Sequence, residues 1–159
     1  MKILKWLDDY FEEVLLVIFL FLITVIMGIQ IVARYAFQSS LSWSEEITRF
    51  IFIWMGFLSI SYCIKKDTSV RIRQFVEMFS EKVMCFLNIV SAVIQSLFFL
   101  YMIPIAYKYV MAAVKSHQIS PACGIPMYMI QFSALLAFVL SVIRLIQLIW
   151  KNIKKLRLK

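Results

Sequence analysis

Residues 14–33 read VLLVIFLFLITVIMGIQIVA, twenty residues from Val14 to Ala33 without a charge. At about 1.5 Å rise per residue, a helix of that length spans about 30 Å, the hydrocarbon thickness of a bilayer. A helix that is apolar on every side is buried all round or lies in lipid. The composition agrees. The chain has 159 residues, 63% apolar and 16% charged, and its mean hydropathy is +0.87. Soluble domains run at about 45–50% apolar and about 25% charged. These values exclude an ordinary soluble domain and predict an all-α integral membrane protein, with residues 1–159 forming a single membrane domain.

Outward from this run, the residues before it change character. Over 2–13, Ile3, Leu4, Leu7 and Phe11 recur at helical spacing, with Lys5, Asp8, Asp9, Glu12 and Glu13 on the other side. That pattern predicts an amphipathic helix lying in the membrane interface, with Trp6 at the lipid surface. The region is acidic as well as basic, and no small-residue cleavage site follows it, so it is expected to stay on the mature protein.

On the other side, Arg34 and Tyr35 close a first span over about 14–36. After the polar turn Gln38-Ser39-Ser40 comes Leu41-Ser42-Trp43-Ser44-Glu45-Glu46-Ile47-Thr48-Arg49-Phe50. Ser42 or Ser44 is a candidate N-cap, and Glu45 and Glu46 fall in the first turn, where the helix dipole favours negative charge. The uncharged part that follows, Phe50 to Ile64, has only 15 residues, too few to cross. A second span over 44–64 must therefore include the charged turn.

Lys65 and Lys66 end that span. A second amphipathic segment is predicted over about 70–82, with Ile72, Phe75, Val76 and Phe79 set against Arg71, Arg73, Glu77, Glu81 and Lys82. Val83 to Tyr107 gives 25 uncharged residues, a third span. Pro104 should kink it or mark its end, and Asn88, Ser91, Gln95 and Ser96 form a weakly polar stripe suited to helix packing. The longest connection then runs from Lys108 to Gly124 and holds His117. A fourth span over about 125–149 has Pro126 at a tolerated early position. Trp150 follows as an interface anchor, then a basic tail over 150–159 with Lys151, Lys154 and Lys155.

The net charge of +8 is concentrated beside the apolar runs, which argues for topology and anionic lipid and against nucleic acid. Lys and Arg number two before the first span, five over 65–82 and five after Trp150, against Lys108, Lys115 and the interfacial Arg34 and Arg49 on the other side. The positive-inside rule then puts both termini in the cytoplasm, with four spans between them, and the Glu45–Arg49 turn at the outer face.

Little in the sequence suits catalysis or a cofactor. The three cysteines, Cys63, Cys85 and Cys123, form no C-x-x-C pair, and His117 is the one histidine, which excludes a metalloenzyme built on several histidines. Glu45-Glu46-x-x-Arg49 superficially resembles the E-E-x-x-x-R of membrane-embedded CAAX-type proteases, but the arginine spacing differs and the needed histidines are missing. A transporter acting alone is also disfavoured, since broken helices and midplane polar groups are lacking.

On a helix, Arg49 lies four residues from Glu45 and three from Glu46, and Arg34 is available from the preceding span end. Three readings of the turn follow. It can be an ion-pair knot fixing the hairpin of spans one and two. It can face a partner subunit. A proton or ion relay has less support, since no other acid lies inside any predicted span.

Taken together, Arg34-Tyr35, Trp43-Ser44-Glu45-Glu46-x-x-Arg49, Ile53-Trp54, Val70-Arg71-Ile72 and Ser120-Pro121-Ala122-Cys123-Gly124-Ile125-Pro126-Met127 resemble, in order and over nearly the whole chain, the small membrane subunit of tripartite ATP-independent periplasmic (TRAP) transporters, the DctQ family. Ser69 stands where that family often has histidine, and Cys123 where a larger aliphatic is common. The resemblance implies a non-catalytic subunit of the bacterial inner membrane that braces and anchors a large elevator-type membrane subunit. Transport by that subunit would be sodium-coupled. A periplasmic binding protein would deliver the substrate, an organic acid or an acidic sugar such as sialic acid. It implies no substrate, sodium or cofactor site in this chain. Arg34, Trp43, Glu45, Glu46, Arg49 and Trp54 are the expected structural or partner-facing cluster, and Trp6, Lys65, Lys66, Arg71, Arg73, Trp150, Lys151, Lys154 and Lys155 the expected lipid-facing set. The alternative is a free-standing four-span transporter or lipid-handling protein.

Overall fold

The computed structural model describes residues 2–39, 41–66 and 81–157, with side chains described over 10–39, 41–66 and 87–154. Four helices make up the regular structure: α1 Lys2–Ala36, α2 Ser42–Lys65, α3 Glu81–Ser116 and α4 Tyr128–Arg157. Each contains a stretch long and apolar enough to cross a membrane, namely Tyr10–Ala36, Ser42–Lys65, Leu87–Ser116 and Tyr128–Lys154. The predicted amphipathic segment over 70–82 lies almost wholly outside the described residues.

α1 is one uninterrupted helix from Lys2 to Ala36. Neither glycine nor proline precedes Gly28, so nothing in the sequence breaks the helix between the amphipathic start and the span. Among its covered or half-covered residues, Glu12, Leu16, Phe19, Ile23, Ile26, Gln30 and Ala33 recur at alternating steps of four and three, and they form the seam against α2. Gln38 takes φ 49° at the turn, and the Ser39 N–H reaches back to the Ala33 carbonyl at 3.2 Å.

α2 starts differently from the expectation. Its N-cap is Leu41, which makes no side-chain cap bond. The Ser44 hydroxyl instead donates to the Leu41 carbonyl at 2.7 Å, because Ser44 already lies inside the helix and its hydroxyl points back along it.

α3 passes through Pro104 and runs nine residues beyond the predicted end at Tyr107. Proline removes one N–H donor, but the chain after it buries Ala106, Val110 and Ala113 at helical spacing, and this contact carries the helix on to Ser116. His117, at φ 48°, ends it. The connection is accordingly short, 117–127. Within it Ile119 and Pro126 pair as an antiparallel bridge, and Gly124 at φ 65° supplies the left-handed residue that the turn requires. Pro126 therefore sits in the loop, and α4 begins at Tyr128, three residues later than predicted. The Pro126 and Met127 carbonyls accept bonds from the first N–H groups of α4.

The helices pack as a layer in the order α1, α2, α4, α3. On α4, Ser133, Ala137 and Ser141 are fully buried at steps of four. Small side chains at that spacing let α3 approach closely, which matters because lipid offers apolar helices little hydrophobic reason to associate. Ala92 and Phe99 of α3, Leu145 of α4 and Ile64 of α2 form the core cluster. Phe138 joins the three helices, edge-on to Phe57 at 6.0 Å between ring centroids and tilted on Phe99 at 5.8 Å.

Candidate functional site

Two polar clusters lie eighteen residues apart along α1, about 27 Å on a helix. The first is built on Glu12, whose side chain is 1% exposed. Its Oε1 accepts from the Ser61 hydroxyl at 2.9 Å and from Arg144 Nε at 2.9 Å. Its Oε2 faces Lys65 Nζ at 3.5 Å, an ion contact too long for a good hydrogen bond. Arg144 also donates to the Gln147 side chain at 3.0 Å. One residue further along each helix, Glu13 pairs with Lys66 at 3.1 Å. That carboxylate raises the Lys66 ammonium above its ordinary value, through the hydrogen bond first and charge second. Buried charges persist only when paired and hydrogen-bonded. Here α1 supplies the anion, α2 a hydroxyl and a cation, and α4 the guanidinium, so the cluster clamps three helices at one end.

The second cluster holds the opposite end. Gln30 Nε2 donates to Glu45 Oε1 at 3.0 Å, tying α1 to the start of α2. Glu46 Oε2 accepts from the Ala122 and Cys123 amides at 3.0 and 2.7 Å. The carboxylate thus closes the tip of the 117–127 loop, whose base is held by the bonds Ser120 N–H to Ile125 O and Met127 N–H to Gln118 O, both 2.9 Å. The Ser120 hydroxyl accepts from the Ile125 amide at 3.0 Å. Cys123 Sγ approaches the Trp43 carbonyl at 3.5 Å. Burial pushes the Cys123 thiol up, and the neighbouring Glu46 carboxylate adds to the shift.

Of the residues singled out by sequence, Trp43, Glu45 and Glu46 come together here. Arg34 and Arg49 are exposed and do not join them. Among the described residues neither arginine closes an ion pair, so both carboxylates take uncharged donors where an ion-pair knot was expected. Trp54 is half-buried on another side of α2, where with Phe19, Phe50, Tyr128 and Phe132 it lines an apolar cleft of about 690 Å³. Among the expected lipid-facing residues, Trp150, Lys151 and Lys154 are exposed, whereas Lys65 and Lys66 are engaged with Glu12 and Glu13. The side chains of Trp6, Arg71, Arg73 and Lys155 lie outside the described residues. Sequence reasoning missed Glu12, Ser61 and Arg144. A signal for them existed, because acids before span one, Lys65 and Lys66 after span two and Arg144 late in span four all fall at one membrane depth.

Among the described residues no group of three His, Cys, Asp or Glu side chains could hold a metal ion, and the polar clusters join helices to one another. Four apolar helices, three of them joined by buried or half-buried polar clusters, define a multi-pass helical membrane protein. Over residues 23–155 the chain matches the family described as tripartite ATP-independent periplasmic transporters, DctQ component. It belongs to that family, a transport component of the inner membrane and not an enzyme. It is 28% identical over 160 residues to the isethionate TRAP transporter permease protein DctMQ of Oleidesulfovibrio alaskensis, an alignment covering 91% of this chain and 24% of that protein. It is 26% identical over 131 residues to a putative TRAP transporter small permease protein of Haemophilus influenzae, covering 80% and 78%. A shorter stretch of 59 residues is 37% identical to the sialic acid TRAP transporter permease protein SiaT of Haemophilus influenzae, covering 37% and 10%. The chain thus spans about a quarter of the first relative and a tenth of the last.

Proposed function

We propose that this chain is the small, non-catalytic membrane subunit that braces and anchors a large elevator-type permease subunit of a sodium-coupled TRAP transporter, with a periplasmic binding protein delivering an organic acid or an acidic sugar such as sialic acid. The observation that carries the reading is the family match across 23–155 together with the character of the interior. The clefts of about 690 and 300 Å³ are lined by apolar side chains, with Gln131, the Tyr109 and Tyr128 hydroxyls and the Trp54 indole N–H as the polar groups and no cation. A pocket for a carboxylate substrate needs a cation or several convergent donors. A fixed scaffold needs neither. The names of two relatives, which join isethionate and sialic acid to TRAP permeases, support the substrate class.

In this reading both termini are cytoplasmic, the Glu12 clamp lies near the inner surface and the Glu46-held loop at the outer one. Trp150, Lys151 and Lys154 then meet anionic headgroups, the role also assigned to Lys155, Arg71, Arg73 and Trp6, whereas Arg34, Trp43, Glu45, Glu46, Arg49 and Trp54 divide between the structural hairpin and the surface that meets the partner. Co-purification tests the proposal: the tagged chain, extracted in mild detergent from cells that carry the whole transporter, should bring a large membrane subunit with it. Substrate uptake by vesicles that hold this chain alone would refute the bracing role and favour a free-standing transporter.

A further inference from the structure

We infer that the open face of α2 seats a transmembrane helix of the large subunit, and that this helix carries a carboxylate opposite Arg49. The inference rests on the bracing role proposed above and names the face and its partner. α2 lies between α1 and α4, and one sector of it stays uncovered. Glu45, Arg49, Phe52, Gly56 and Cys63 are exposed along that sector, and with half-covered Ser59 they follow steps of four and three over five turns. That is the spacing at which a second helix packs along a first. Trp54 and its apolar cleft lie on the opposite side.

Two residues of this face have no function inside the chain. Arg49 stands seven residues into α2, about 10 Å beyond its start, and among the described residues it makes no hydrogen bond or ion pair. Glu45, one turn earlier, is the obvious internal partner, yet its Oε1 accepts from Gln30 and no pair with Arg49 forms. A guanidinium on a membrane-facing surface is costly unless an anion meets it. Gly56 weakens the helix it sits in, and nothing lies within 4 Å of where its Cβ would be. Its absent side chain serves no contact within this chain and suits the close approach of a backbone from outside. An acyl chain would cover Phe52 and Gly56 but leave the guanidinium bare. A helix bearing Asp or Glu satisfies both.

The test uses the complete transporter, with the large subunit recovered per tagged small subunit as the readout. Arg49→Glu and Gly56→Leu should each lower recovery tenfold or more, while Ile94→Phe, on the exposed surface of α3, should leave it unchanged. Melting curves of the variant chains should fall no lower than the wild type's, since nothing lies within 4 Å of a Cβ at Gly56, Arg49 makes no bond among the described residues, and Gly56→Leu replaces a helix-weakening glycine. Exchanging one Asp or Glu in a span of the large subunit for Lys should restore binding to the Arg49→Glu chain. A short photoactivatable crosslinker attached at Cys63, in a chain whose Cys85 and Cys123 are serine, should join the two subunits. If both variants recover the large subunit as well as the wild type does, the face is wrong and the bracing role survives. If the wild-type chain itself brings down no large subunit, the bracing role fails. If no acidic exchange rescues Arg49→Glu, and that variant instead strips anionic phospholipid from an intact complex, the guanidinium meets a lipid phosphate and the inference is overturned.

Discussion

Arg144→Met should destabilise the protein severely, and Glu12→Leu made together with it should restore most of the loss. The Glu12 and Arg144 side chains are 1% and 8% exposed and meet at 2.9 Å. Removing one member of such a buried pair costs about 3–5 kcal/mol, because the other charge stays buried without its counterion. Lys65 at 3.5 Å remains to offset part of that, so the lower figure applies: about 3 kcal/mol, or roughly a hundredfold in the folded-to-unfolded ratio. Removing both charges is different. Two apolar side chains of similar size leave Lys65 as the remaining ion of the cluster, 16% exposed and long enough to carry its ammonium to the surface, and Ser61 can turn its hydroxyl to a carbonyl of its own helix, so the double variant should lose no more than about 1 kcal/mol. The coupling energy between the sites is then several kcal/mol. Reversible unfolding in mixed detergent micelles, followed by tryptophan fluorescence, measures all four species of this cycle. A loss below about 0.5 kcal/mol for Arg144→Met, or a double variant that loses the sum of the two singles, would refute the clamp.

Three further outcomes follow from the other end of the molecule. Gly124→Ala forces an L-residue into φ 65°, which costs about 1–2 kcal/mol, and it should loosen the 117–127 loop enough for faster amide exchange at Ala122 and Cys123. Glu46→Gln removes a carboxylate that helps keep the Cys123 thiol protonated. The thiol should titrate lower, hold more thiolate at pH 8, and react faster with maleimide in a chain whose Cys63 and Cys85 are serine; a slower or equal rate counts against the contact. Gln30→Leu deletes the bond to Glu45 at 3.0 Å, and at about 0.5–1.5 kcal/mol its effect on melting should be well below that of Arg144→Met.

The four helices were legible because unbroken apolar runs have one reading in a chain of this composition. Their ends were less so. The sequence placed the end of the third helix at Pro104 or Tyr107, but burial of Val110 and Ala113 against α4 outweighs one lost N–H, and such tertiary contact is invisible in a single sequence. Pro126 read as an early helical residue because proline is tolerated there; its bridge to Ile119 depends on a loop geometry fixed by Gly124 and Ser120. The Glu45–Arg49 turn was recognised as the organising segment for a sound reason, the cost of charge near lipid, but its partners were mistaken. Helical spacing pointed to Arg49, whereas the actual donors are an amide near the end of α1's apolar stretch and two backbone N–H groups 76 and 77 residues away. Glu12 was placed with Lys5, Asp8, Asp9 and Glu13 on the polar side of an interfacial helix, and only the approach of α2 and α4 sets it apart.

The placement of the two clusters explains how so apolar a layer keeps a fixed shape. Along the α1–α2 seam the side chains are those of lipid tails in character, so exchanging lipid for protein there yields dispersion contact and little else. Such a seam tolerates sliding, since a shift by one turn replaces Leu, Ile or Phe by another of them. Polar bonds do not tolerate it: one residue of slip moves the helix about 1.5 Å and turns each side chain by more than a quarter circle, which breaks a bond of 2.9 or 3.0 Å. A clamp at one end would fix the register and still allow α1 to pivot. Clamps at both ends, Glu12 with Ser61 and Arg144 at one and Gln30 with Glu45 at the other, fix register and crossing angle together. Glu46 extends the constraint to the loop that precedes α4. Rigidity therefore resides in a few hydrogen bonds at the two ends, buried at Glu12 and half-buried at Gln30, and the long apolar faces between them are left free to meet lipid on one side and a partner on the other.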